Sequence, residues 1–209
     1  MTVTAASDTR SRILAAALEL FSEHGFEGTT LQQIADRLGF TKAALYYHFP
    51  SKDDLLAALH QPAVQDLEAV IAAFEEMPDT PTRPRRFVEA YLDFLLRHRR
   101  LIGYSFQDLA TLAHPAVRSR SQGLQLRMEA VLLGSERAFG EQIRVSMVFG
   151  GMHAVIAQHP DAEASALRVA MLDAVAALLR PGSRATVRTR HQSESGRAGR
   201  NRGGHLGSA

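Results

Sequence analysis

The sequence predicts an all-α protein. Apolar residues recur at helical spacing almost from end to end, helix-start and helix-stop residues bound each run, and no segment sustains the two-residue alternation of a half-buried strand. Ile13, Leu14, Ala17, Leu18 and Phe21 form the first apolar face, and Gly25 follows as a stop. Leu31, Ile34, Ala35 and Leu38 form the second; Thr30 and Gln33 stand at capping-box spacing before it, and Gly39 closes it. Thr41 caps a third, short helix, which Pro50 ends by disfavouring helical backbone at Phe49. Ser51, followed by Asp53 and Asp54 in the positive first turn, starts a fourth that could run to Met77, with a bend at Pro62. Met77 to Pro81 reads as a loop. Phe87, Tyr91, Phe94 and Leu95 give the next face, and a helix of two to three turns follows the polar break at His98–Arg100 and runs to Leu112. Pro115 opens a helix to Leu133, and Gly134-Ser135 breaks it. A long helix spans about 136–158, and the last, capped by Asp161, carries Leu167, Met171, Val175, Leu178 and Leu179.

The chain has 209 residues, enough to bury a core without staples, and no cysteine, which excludes disulfides, thiolate metal sites and cysteine nucleophiles. Its longest apolar stretch, 143–157, contains Arg144 and His153 and does not read as a membrane span. No signal peptide is expected, and the expected location is cytoplasmic, without membrane partners. The net charge of +2 hints weakly at an anionic partner, but its distribution matters more than its size. Residues 1–60 carry net −2, residues 61–180 net −1 and residues 181–209 net +5. The positive balance therefore belongs to an Arg/Gly/Ser-rich tail, 182–209, that is too poor in apolar side chains to offset its ordering entropy and is expected to be disordered.

Residues 30–49 have the layout of a helix-turn-helix: a short helix, a turn containing glycine, then a second short helix. In that unit the second helix enters the major groove and its N-terminal residues face base edges. Here those residues are Thr41, Lys42, Ala43 and Ala44: a hydroxyl, a cation and two small side chains that permit close approach. Thr30 and Lys52 stand at the starts of the flanking helices, where free backbone N–H groups favour phosphate. Lys42 and Lys52 are the only lysines of the chain, and both fall in this segment. Leu45 and Phe49, four apart, read as the core pair, which leaves Tyr46, Tyr47 and His48 on flanking faces.

The run 9–25 (TRSRILAAALELFSEHG), then Phe26 to Thr30, Ile34-Ala35, Leu38-Gly39, Leu45-Tyr46-Tyr47-His48-Phe49 and Ser51 to Leu55, resembles the TetR family of transcriptional regulators. The resemblance covers roughly residues 8–60; the rest matches only in layout. It implies a homodimer with a DNA-binding head, 7–60, in the form of a three-helix bundle, and a helical ligand-binding and dimerisation body, 61–181. By position it puts Thr30, Gln32, Gln33, Thr41, Lys42, Ala43, Tyr46, Tyr47, His48 and Lys52 on the family's DNA-contacting places; a glycine is frequent where Ala43 stands, so base preference there does not carry over.

The resemblance also implies a pocket for a small, largely apolar effector. Its candidate lining is Phe87, Tyr91, Phe94, Tyr104, Phe106, Gln107, Asp108, Met128, Met147 and His153. Each apolar member also reads as plain core, and His153 equally as a core or interface histidine; the polar Tyr104, Gln107, Asp108 and His153 beside them favour a pocket. The last two helices are the expected dimer interface, with Gly150-Gly151 marking either close helix approach across a two-fold axis or a local kink. An operator read by such a dimer would be a pseudo-palindrome. Repression is the expected mode, with activation as the alternative.

No metalloprotease, nucleophile-elbow, Walker or dinucleotide motif occurs, and no two histidines stand at i, i+4. The sequence therefore predicts no enzyme, metal or cofactor. A non-specific architectural DNA binder would need broad positive charge, which the body lacks.

Overall fold

The computed structural model describes residues 2–134 and 138–178. Among them there is no strand. The helices are α1 (Thr2–Gly28), α2 (Leu31–Leu38), α3 (Lys42–His48), α4 (Lys52–Glu75), α5 (Arg83–Arg97), α6 (Arg99–Gln107), α7 (Leu109–Ala113), α8 (Pro115–Leu133), α9 (Phe139–Gln158) and α10 (Ala164–Leu178). The expectation for the tail lies outside the described residues.

Local chemistry explains most of these boundaries. Thr30 Oγ1 accepts from the Gln33 N–H at 3.2 Å, and Gln33 Oε1 accepts from the Thr30 N–H at 2.7 Å, so two free donors at the start of α2 are satisfied reciprocally. Gly39 closes α2 with φ +69°, returning its N–H to that helix's last turn. Thr41 and Ser51 cap α3 and α4 through their side-chain oxygens, each such cap contributing about 1 kcal/mol. Gly25 takes φ +73° and ψ +166°, a region open essentially only to glycine, and so bends the end of α1.

Helix α4 continues through Pro62, although that residue has no N–H to return to Ala58. Two boundaries depart from expectation. The expected helix to Leu112 is divided at Asp108, whose carboxylate accepts from the Ala110 and Thr111 N–H groups and starts α7 afresh. Glu163, not Asp161, caps α10: its carboxylate takes the Ser165 and Ala166 N–H groups at 3.0 and 2.7 Å.

The core begins where α1 packs on α2 and α4, burying Ile13, Ala17 and Phe21 with Ile34, Leu45, Phe49, Leu55 and Leu56. The same helix continues into contact with α6 and α7. Helix α4 runs on to pack along α8 and α5, and α6 packs along α9. Buried Phe87, Tyr91, Leu92 and Leu95 of α5 meet Met152 and Ile156 of α9 in one continuous core.

The backbone at Gly25 sets a test. Gly25→Ala should destabilise the fold by about 1–3 kcal/mol, because an L side chain is strained there. Gly123→Ala, in α8 where an added Cβ meets no atom within 4 Å, should instead stabilise by roughly 0.5–1 kcal/mol. Urea denaturation followed by circular dichroism measures both, and equal effects would contradict the account.

Candidate nucleic-acid interface and body cavity

Helix α3 turns Leu45 and Phe49 into the core and leaves Thr41, Lys42, Ala43, Ala44, Tyr46 and Tyr47 exposed, with His48 half-buried. The five-residue span Leu45–Phe49 is thus amphipathic, with its polar and aromatic side outward. Tyr47 is 84% exposed and meets the His48 ring edge-on. The Lys42 ammonium lies 5.6 Å from the Tyr46 ring centroid. Thr30, Gln32, Lys42, Tyr46, Ser51 and Lys52 line one open groove, so the N-termini of α2, α3 and α4 converge on it. Gln33 is spent on the capping box, and Gln32 donates to Asp36 at 2.7 Å.

Several acidic residues of this region have partners: Arg37 pairs with Glu19 and Glu23, Ser51 donates to Asp54, and Asp53 faces His114 at 3.3 Å. Lys52 is also partly committed: its ammonium donates to the Phe26 carbonyl at 2.6 Å, lies 3.8 Å from Glu27, and stands 4.2 Å from the Phe26 ring centroid. It ties α4 to the end of α1, a role with no signal in the sequence.

The same Phe26 peptide is gripped from the other side. Its N–H donates to Asp108 Oδ2 at 2.8 Å. Tyr104 and Thr111 donate to that oxygen at 3.0 and 3.2 Å. Burial opposes ionisation of this carboxyl, but the hydrogen bonds from Phe26, Tyr104 and Thr111 outweigh it and hold it below its ordinary range. Burial pushes the Tyr104 hydroxyl up, so it stays a donor. A Cβ at Gly25 would lie 3.8 Å from the Asp108 carboxylate, an ordinary contact, so it is the positive φ that calls for glycine there.

Behind this junction the body encloses a cavity of about 410 Å³ between α4, α5, α6, α8 and α9. Of the predicted lining, Tyr91, Phe94, Phe106, Met128 and His153 face it. Phe87 sits in the core, edge-on against Phe74. Tyr104 and Asp108 serve the Phe26 junction instead, Gln107 donates to the Ala157 carbonyl at 3.0 Å, and Met147 is exposed on α9. The structure adds His60, Ser105 and Phe149, which sequence reasoning missed. His60 lies one turn before neither a motif nor a second ligand, so only the packing of α4 on α6 brings it to the wall.

His60 and His153 are built alike. Each Nδ1 donates to the carbonyl four residues back, Leu56 at 2.9 Å and Phe149 at 2.8 Å. That leaves each Nε2 as an acceptor, from Ser105 at 2.9 Å and from Tyr91 at 3.3 Å. Burial lowers the pKa of both rings, so both are neutral. Among the described residues no cluster could hold a metal ion, and no helix is long and apolar enough to cross a membrane.

Residues 13–59 match the family profile described as bacterial regulatory proteins, tetR family. Residues 13–59 are thus a segment of the TetR type. It is 38% identical over 89 residues to the transcriptional activator FasR of Mycolicibacterium smegmatis, a match covering 42% of this chain and 41% of FasR. It is 30% identical over 128 residues to the transcriptional regulator UidR of Escherichia coli, covering 61% of this chain and 55% of UidR. The match thus spans about half the length of these curated relatives. Among solved structures, the TetR-family regulator PfmR of Thermus thermophilus superposes with a TM-score of 0.59 at 28% identity, over 78% of this chain and 96% of PfmR. The likeness of the helical body thus extends beyond the segment that the profile matches.

The two neutral histidines set the acid limit of the fold. Their pKa values are lowered from 6.5 in the folded chain, so between the folded value and 6.5 the unfolded chain binds more protons. Stability therefore falls as pH drops through 6.5. The melting temperature, followed by circular dichroism, should be lower at pH 5.5 than at pH 7.5. A His60→Gln, His153→Gln double variant should show a flatter dependence; an unchanged slope would exclude these rings as the cause.

Proposed function

We propose that the chain is a non-enzymatic transcriptional regulator that binds a pseudo-palindromic operator as a homodimer and is released from it by a small molecule held in the body cavity. The observation that carries the reading is a single mechanical line. Helix α6, which carries part of the cavity wall, is followed directly by Asp108, Asp108 holds the Phe26 N–H, and Phe26 sits at the bend that leads into the helix-turn-helix. A ligand that displaces α6 must move that carboxylate, and with it the end of α1 that orients α2 and α3. A ligand shifts such an equilibrium only by its differential affinity for the two arrangements, and a wall element shared with the clamp supplies that difference.

Thr41, Lys42 and Ala43 are proposed to face base edges, with Thr30, Tyr46, Tyr47, His48 and Lys52 on the phosphates and Gln32 and Gln33 flanking them. The dimer is proposed to form through α9 and α10. Phe139, Ile143 and Met147 expose an apolar stripe on α9, and Val169 and Leu178 are exposed on α10. A Cβ added at Gly150 or Gly151 meets nothing within 4 Å in the single chain, which leaves room for a second copy to approach. A two-fold axis there would set the two α3 helices about 34–36 Å apart, one turn of DNA. Residues 7–60 are proposed to act as the head and 61–181 as the body. Repression by occupying the operator is the proposed mode; activation is the second reading, because the relative FasR is described as an activator.

In a gel-shift assay, one palindromic site from the promoter upstream of the gene or its neighbours should survive competitor DNA; equal binding to random duplexes would defeat the proposal. Lys42→Ala should reduce the salt slope of binding by about one without changing the melting temperature. Lys52→Ala should lower the melting temperature as well, because it also breaks the bond to the Phe26 carbonyl. Equal melting temperatures for the two variants would show that Lys52 does not brace the head.

A further inference from the structure

We infer that the cavity selects an uncharged, largely apolar molecule carrying a hydrogen-bond donor, and rejects carboxylates of the same shape. This rests on the proposed reading of the cavity as the effector site and concerns the chemistry of what enters it.

The argument is an account of protons. Among the described residues lining the cavity there is no arginine or lysine to neutralise an anion. The two histidines cannot do so either, since burial keeps them neutral. The hydroxyl groups on the wall have already committed their protons. Ser105 donates to His60 Nε2, and Tyr91 donates to His153 Nε2, because each Nδ1–H is fixed on a backbone carbonyl. Ser121 donates to the Val117 carbonyl at 2.9 Å. What these three hydroxyl groups still offer a ligand is lone pairs, on Ser105 Oγ, Tyr91 Oη and Ser121 Oγ.

An entering carboxylate would meet acceptors without a counter-charge, and would lose its hydration for nothing. An entering hydroxyl or amine N–H meets unused acceptors, and the Ser105–His60 pair strengthens the acceptor because the hydroxyl is itself donating. The rest of the wall is apolar and rich in rings. Tyr91 and Phe149 meet edge-on at 4.7 Å between centroids, and Phe106 stacks on His153 at 6.1 Å. The volume of about 410 Å³ suits a molecule of drug-like size.

Three probes of one shape test this on the full chain at pH 7.5, by calorimetry: para-phenylphenol with a donor, para-methoxybiphenyl without one, and biphenyl para-carboxylate as the anion. The phenol should bind about tenfold more tightly than the ether, the equivalent of one satisfied hydrogen bond, and more tightly still than the carboxylate. Ser105→Ala should weaken the phenol about fivefold and leave the ether unchanged, the ether serving as the check that the cavity is intact. Carboxylate binding equal to or tighter than the phenol, or ether equal to phenol, would overturn the selectivity while leaving the cavity as a ligand site. Failure of all three to bind would instead overturn the reading of the cavity as the effector site, and this inference with it.

Discussion

The peptide around Phe26 is the point on which the rest of this structure depends. Its N–H is held by the carboxylate of Asp108 and its carbonyl by the ammonium of Lys52. The ring beside it packs edge-on against Phe21 and His114 and lies under the Lys52 ammonium. One residue at the irregular end of α1 thus joins α4, α6, α7 and α8. A charged acceptor on the N–H and a charged donor on the carbonyl of one residue give hydrogen bonds of roughly twice the ordinary strength. Gly25 makes the arrangement possible, because only its backbone can turn α1 so that the Phe26 N–H faces the carboxylate.

This constraint also explains where Asp108 sits. A carboxylate that must accept from Phe26, Tyr104 and Thr111 while capping α7 cannot lie inside a helix, so α6 and α7 part at that residue. The same α6 carries Leu101, Ile102, Ser105 and Phe106 to the cavity wall. One face of a nine-residue helix is wall, and its C-terminal end is clamp. A short helix is stiff, so the two ends cannot move independently.

The helices of residues 13–56 were legible because capping is a local matter. Thr30 with Gln33, Gly39, Thr41 and Ser51 each satisfy backbone groups within a few residues, and the observed bonds are those that the spacing implies. The inward turn of Leu45 and Phe49 followed from their separation alone. The cavity was legible only in part. Tyr91, Phe94, Phe106, Met128 and His153 face it, but Tyr104, Gln107 and Asp108, polar residues on the same stretch, are engaged with Phe21, Ala157 and Phe26 instead. Their partners lie dozens of residues away, and no period or cap encodes such a pairing. His60 was missed for the same reason: its neighbour Ser105 is far off in sequence.

By itself, then, the sequence determined the helical class, the order and caps of the first helices, and the exposure of Thr41, Lys42 and Tyr46 on one side of α3. Spacing within a few residues decides all of these. Tertiary structure alone decided which polar side chains became wall and which became clamp. It turned Lys52 from a free cation into a brace for α1, and it set the donors and acceptors that face the cavity. Those outcomes depend on which helices meet. A hydrogen bond across 45 or 82 residues exists only once the core has brought both ends together.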